Sequence, residues 1–221
     1  MRTRKTGIPL RAAIVGLIAA VALVAPSVAQ AACGGVKRYS PSSTAERSRA
    51  PLAIGDSVMM GAIEPLRRAG FEIDVRGCRQ MSEGVKVVSA RKRAGSLPAL
   101  VVVALGNNWT VSTAEIRQAV RIVGSQRLLG LVTPRGAMAS ARTAITAAAR
   151  RWPTRVKVLD WATRSAGKNW TWDGLHLTSA GARGFSRLLS EAMSWPLPGD
   201  TSQVEEEPVE GSSGGGVVAP P

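Results

Sequence analysis

The sequence predicts a three-layer α/β/α domain, a doubly wound sheet of about five parallel strands between two layers of helices. Short apolar runs alternate with segments of helical periodicity, the order of repeated strand–helix units. The run at residues 99–105 (ALVVVAL) is apolar without interruption and rich in valine, as expected of a strand covered on both faces. Hydrophobic residues make up 45% and charged residues 20% of 221 positions, enough to bury one mid-sized core.

The elements follow in order. Residues 52–54 form a first strand between Pro51 and Gly55, and residues 58–69 have helical spacing. Residues 71–76 alternate as a strand and residues 81–94 are helical. The valine-rich run is the third strand, followed by a helix over 113–123. Residues 127–133 (RLLGLVT) are a fourth strand, 137–151 an Ala-rich helix, 156–159 a short fifth strand and 179–193 an amphipathic helix. The segment 32–50 is polar and reads as an arm, which sets the domain at 51–196. Beyond it, 197–221 is a Pro-, Gly-, Ser- and acid-rich tail expected to be disordered.

The first 31 residues differ from the rest. Arg2, Arg4, Lys5 and Arg11 precede an apolar run ending near Val28, then the small-residue step Ala29-Gln30-Ala31. This is the layout of a signal peptide cleaved after Ala31, so the chain is expected to be secreted, with no stable membrane insertion afterwards. A retained anchor is the alternative, since the run is at the short end for a span, roughly 17 residues. A lipoprotein built on Cys33 is disfavoured by Gln30. In an oxidising compartment Cys33 and Cys78 would tend to pair, stapling the arm to the domain; two free thiols are the alternative. Residues 32–196 hold 25 basic and 10 acidic side chains, a net +15 that attracts anionic polymers. General basic bias explains the charge equally well. No interleaved basic–aromatic motif points to nucleic acid. A monomer is expected.

In an open parallel sheet, functional residues gather beyond the C-terminal strand ends. Three segments satisfy that test: Gly55-Asp56-Ser57, Gly106-Asn107-Asn108 and Asp173-Gly174-Leu175-His176. A serine hydroxyl becomes a nucleophile when a base, usually a histidine oriented by a carboxylate, takes its proton. His176 is the single histidine of the chain, and Asp173 lies three residues before it. A base works only unprotonated and a free histidine titrates near pH 6.5, so turnover should rise through one ionisation around neutrality. At a strand-to-helix turn, Ser57 can also offer its own N–H, and the positive end of the following helix, to a developing oxyanion.

These blocks make the chain resemble the SGNH (GDSL-like) hydrolases, and more narrowly the extracytoplasmic SGNH domains associated with bacterial cell-wall O-acetyltransferases. The carriers are Ile54-Gly55-Asp56-Ser57-Val58-Met59-Met60-Gly61, Cys78-Arg79-Gln80, Ala104-Leu105-Gly106-Asn107-Asn108 and Asp173-Gly174-Leu175-His176-Leu177-Thr178, in family order over about residues 51–195. The resemblance implies a flavodoxin-like sheet, Ser57 as nucleophile, His176 and Asp173 as its partners, and an oxyanion hole from the Asn108 side chain with N–H groups of Ser57 and of the second block. There the sequence departs from the family: Cys78 stands where glycine is expected, and a Cys78 N–H can still donate. Trp109 stands where many hydrolases have aspartate, which favours the acetyltransferase-associated branch.

The function this implies is an esterase or acyltransferase acting on an acylated envelope polysaccharide or another small ester. The alternatives are a catalytically silent envelope-binding module and a lipase. No metal ligand set, phosphate loop or dinucleotide fingerprint is present, so no cofactor is expected. Arg135 reads as a substrate contact or a solvated basic residue, and Asp160 with Trp161 as site lining or as cap and packing. Trp170 and Trp172 read either as a sugar-stacking platform or as hydrophobic anchors of their loop.

Overall fold

In the computed structural model, six strands form one sheet in the order β1-β3-β2-β4-β5-β6. The structure describes residues 33–43, 50–136 and 138–199. Residues 1–31, expected to be a signal peptide, and the tail beyond residue 199 lie outside the described residues. Strands β2 (Leu52–Gly55), β3 (Glu72–Val75), β4 (Leu100–Ala104), β5 (Leu128–Val132) and β6 (Val156–Leu159) run parallel. They are the five expected ones.

The sixth strand, β1 (Lys37–Tyr39), pairs antiparallel with β3 from within the segment read as an arm. Its three residues, KRY, are too few and too polar to show strand alternation, and they pair on one edge only. β1 adds an antiparallel edge to the five expected parallel strands.

Alternation along each strand sorts side chains into two cores. Leu52 and Ile54 of β2, Val101 and Val103 of β4, and Leu129 and Leu131 of β5 pack on one face. That face is covered by α3 (Met81–Arg93), α4 (Thr113–Val123) and α5 (Ala139–Arg151). Ala53, Leu100, Val102, Ala104, Leu128 and Val132 face the other way. They meet α1 (Ser57–Met60), α2 (Ile63–Arg68), α6 (Trp161–Arg164) and α7 (Ser179–Glu191). Both faces of the sheet are buried, which is why its strands read as unbroken apolar runs.

Capping boxes close the N-termini of α3 (Gln80 with Glu83) and α4 (Ser112 with Glu115). The helix expected over 58–69 is broken at Gly61-Ala62 into α1 and α2, and its four-residue first piece has little macrodipole. Among the described residues, no helix is long and apolar enough to cross a membrane.

Chain order puts β3 on one side of β2 and β4 on the other. The crevice beyond the C-terminal ends of β2 and β4 is therefore the topological switch point of the sheet. Two of the three motif blocks leave the sheet there.

Candidate active site

Ser57 opens α1 immediately after β2. Asp56 caps the helix by accepting the Val58 N–H at 3.0 Å. The turn is tight because Gly55 carries no side chain: a Cβ there would meet Met59 atoms at 2.6 and 2.7 Å. The Met59 side chain thus locks α1 onto the strand it follows.

His176 comes from the loop between α6 and α7, which is braced at both ends. Thr171 bridges Leu177, the Trp172 N–H donates to the His176 carbonyl at 3.0 Å, and the Thr178 N–H donates to the Trp170 carbonyl at 2.9 Å. At the tip, Oδ1 of Asp173 accepts the N–H groups of Leu175 (2.9 Å) and His176 (2.7 Å). Its other oxygen, Oδ2, lies 2.6 Å from His176 Nδ1. His176 Nε2 lies 3.1 Å from Ser57 Oγ.

The His176 side chain contact holds the Asp173 carboxyl down to about 2; partial burial works against it, and the two backbone N–H groups assist. Ionised, Asp173 only accepts, so His176 carries its proton on Nδ1. That leaves Nε2 as the acceptor for the Ser57 hydroxyl. Residues 119 apart in sequence thus stand in one hydrogen-bonded line.

The opposite wall comes from the loops after β3 and β4. Gly106, with φ of +121°, turns the chain out of β4 in a conformation closed to most side chains. Asn108 Nδ2 then donates to Asp56 Oδ2 at 3.0 Å and, at 3.5 Å, to the Arg79 carbonyl. Asn107 Nδ2 reaches the same Asp56 oxygen at 3.3 Å. Burial pushes the Asp56 carboxyl up, against the opposing pull of the Val58 N–H, Asn107 and the nearby His176. Asp56 has no exposed surface. Sequence reading gave it no role beyond its motif, although an acid buried between a serine and two asparagines must be held by donors.

Cys78 has a φ of +54°, the one positive value at a non-glycine among the described residues. The backbone conformation that suits glycine is thus kept with a different side chain, and both cysteines of the chain are disulfide-bonded. The next residue, Arg79, is 2% exposed. It donates to Asp74 Oδ1 (2.5 Å), the Asp74 carbonyl (2.6 Å) and the Gly55 carbonyl (3.4 Å). Arg38 of β1 pairs with the same carboxylate at 2.8 Å. A buried ion pair therefore ties the Cys78 loop to β2 and β3, an anchor invisible in a sequence where arginine is common.

The remaining candidates separate cleanly. Arg135 braces the histidine loop, donating to Thr171 Oγ1 at 2.6 Å. Asp160 caps α6 and accepts the Thr133 hydroxyl at 2.7 Å. Trp161 is buried, stacked on Trp170 at 5.6 Å and edge-on to Phe185 at 5.1 Å. Trp170 is thereby the hydrophobic anchor of its loop. Trp172 stacks on His176 at 5.5 Å and 20°, and is 71% exposed. Among the described residues no cluster of His, Cys, Asp or Glu could hold a metal ion.

No protein-family model matches the chain. It is 32% identical over 149 residues to the peptidoglycan O-acetyltransferase OatA of Listeria monocytogenes, covering 64% of this chain and 24% of that protein. It is 26% identical over 155 residues to the putative peptidoglycan O-acetyltransferase YrhL of Bacillus subtilis, covering 67% and 24%. The chain thus spans about a quarter of the length of these curated relatives.

Among solved structures, the C-terminal catalytic domain of Streptococcus pneumoniae OatA superposes with a TM-score of 0.55 at 20% identity, covering 67% of this chain and 96% of that domain. A carbohydrate esterase of family 3 from Talaromyces cellulolyticus follows at 0.50 and 14% identity, covering 65% and 96%. Both likenesses are of fold. Sheet order and these likenesses together give the chain the fold of the SGNH hydrolases, and its sequence is similar to part of the peptidoglycan O-acetyltransferases.

Proposed function

We propose that this chain is an exported serine esterase or acyltransferase that carries an acyl group on Ser57, acting on O-acetyl groups of an envelope polysaccharide. The observation that carries the reading is His176 standing between Ser57 Oγ at 3.1 Å and Asp173 Oδ2 at 2.6 Å. Ser57 Oγ attacks the ester carbonyl carbon while its proton passes to His176 Nε2. The carbonyl π electrons move to oxygen, and Asn108 Nδ2, giving up its long 3.5 Å bond to the Arg79 carbonyl, donates with the Ser57 and Cys78 N–H groups to that oxyanion. The oxygen of the leaving alcohol departs with the proton from His176, and the acyl-enzyme remains. A sugar hydroxyl or a water then repeats the sequence in reverse. Asp173, ionised throughout, orients the imidazole and stabilises its charged form. No step needs a cofactor.

Support for export is the basic, apolar, small-residue order of residues 1–31, together with a disulfide suited to an oxidising compartment. The catalytic unit is assigned to 51–196, preceded by the arm and followed by the tail. The acetyl group and the polysaccharide rest on the names of the relatives. The +15 charge of residues 32–196 favours anionic wall polymers as surroundings.

The test uses a fluorophosphonate serine probe, then cell-wall fragments with and without O-acetyl groups, with nitrophenyl acetate as donor. Labelling and acetyl transfer or release that vanish in Ser57→Ala are expected. Equal activity in that variant would refute the assignment.

A further inference from the structure

We propose that Trp172 and Trp109 form an aromatic platform that binds a pyranose ring of the acceptor glycan, with Arg135 beside it. The proposal rests on the reading of Ser57 as the acyl-carrying serine and names how its acceptor is held.

Among the described tryptophans these two stand apart. Trp172 is 71% and Trp109 66% exposed, whereas Trp161 is buried and Trp152, Trp170 and Trp195 are half-buried. Both lie in the loops that carry the site residues. Trp109 follows Asn108 directly, and Trp172 lies almost parallel to the His176 imidazole. They arrive from different loops, one after β4 and one before α7. The Trp172 ring stacks on the imidazole yet stays open to water, which leaves it free to take a ligand.

Trp172 is also held in place. Its N–H is bonded to the His176 carbonyl, Thr171 before it bridges Leu177, and Arg135 grips the Thr171 hydroxyl at 2.6 Å. One face of the ring rests on His176 and the other faces solvent. A fixed, flat ring loses little freedom on binding, which favours recognition.

The surroundings choose the ligand class. A lipid tail would need a continuous apolar groove, but the chain neighbours of these rings are polar: Thr110 and Asp173 are exposed and Asn107 and Thr171 half-exposed. A pyranose has the matching character. Its C–H face packs on an aromatic ring while its hydroxyls meet polar groups at the ring edge. Among the described residues no carboxylate pairs with Arg135, which suits a hydroxyl or acidic substituent on that sugar.

The test is calorimetric titration of full-length Ser57→Ala protein with chitotetraose, which reports binding without turnover. Saturable binding is expected. It should weaken at least tenfold when Trp172→Ala or Trp109→Ala is added, and stay within threefold with Trp172→Tyr, which restores a flat ring. Melting temperatures check that each variant is folded. No saturable binding, or binding within twofold in both alanine variants, would overturn the platform. So would tighter binding of a short-chain lysolipid than of chitotetraose. Probe labelling of the Ser57 protein is read separately: labelling without glycan binding removes the platform and leaves the serine assignment standing, and glycan binding without labelling does the reverse.

Discussion

Replacing Asp173 by asparagine should abolish nearly all acyl transfer while leaving the fold intact, because the loop decides which way the new amide points. In the wild-type loop Oδ1 accepts two backbone N–H groups, at 2.9 and 2.7 Å, and Oδ2 faces His176 Nδ1 at 2.6 Å. An asparagine has one acceptor and one donor end. If its carbonyl kept the histidine contact, its NH₂ would confront two N–H donors. Two backbone bonds outvote one, so the carbonyl should stay in the loop and the NH₂ should face Nδ1. His176 must then accept on Nδ1 and carry its proton on Nε2, the nitrogen that Ser57 needs as acceptor.

The wrong tautomer costs about 10⁴ in turnover where this has been tested in serine triads. The assay is single-turnover acylation by nitrophenyl acetate from pH 5 to 9, with thermal unfolding measured alongside. Asp173 contributes no limb to that profile in wild type. Its folded-state pKa is lowered to about 2, so any stability it gives is present above the usual carboxylate range and is lost only as pH falls through that value. A loss below tenfold with an unchanged pH profile would refute the proton path. Asp173→Ala separates the two roles, since it deletes the loop bonds as well and should lower the melting temperature more than Asp173→Asn.

Asn108→Ala should fold and lose about 10²–10³ in turnover, the usual effect of removing one oxyanion donor, and an unchanged rate would remove it from the site. Asp56→Ala should lose about a hundredfold, because it removes the acceptor shared by Nδ2 of Asn107 and Asn108; a near-wild-type rate would show that Asn108 holds its place without Asp56. Intact-mass analysis should show no alkylatable thiol until reduction, and reduction should cost about 4 kcal/mol if the closed loop spans about 46 residues; two thiols labelled without reductant would contradict this. Arg79→Met should destabilise by about 3 kcal/mol, since it leaves the buried Asp74 carboxylate with only the exposed Arg38 as a charged partner, and Arg79→Met with Asp74→Leu should recover much of the loss. A single variant within 1 kcal/mol of wild type, measured by urea unfolding, would show that the pair anchors nothing.

The sequence by itself determined the layers, the five parallel strands and the three blocks at strand ends. Burial on both faces forces apolar runs, and the need for turns just beyond those runs forces Gly55 and Gly106, so a one-dimensional pattern records both. It also singled out His176, simply because no other imidazole exists. What it could not record is which groups meet across the chain. The edge strand β1 is three residues whose pairing comes wholly from β3. The break at Gly61-Ala62 divides a segment whose apolar spacing is helical throughout, and it shortens α1 to four residues. The Asp56 clamp on Asn107 and Asn108 and the Arg79–Asp74 anchor join ordinary polar residues, which become informative only when folding removes them from water. The two roles open to Trp170 and Trp172 were divided by two packing neighbours. Trp161 takes up the face of Trp170, while the outer face of Trp172 is left to solvent. Local patterning is set by burial and turns, and is therefore legible in sequence; polar pairing depends on which loops the closed sheet brings together, and only the tertiary structure decides that.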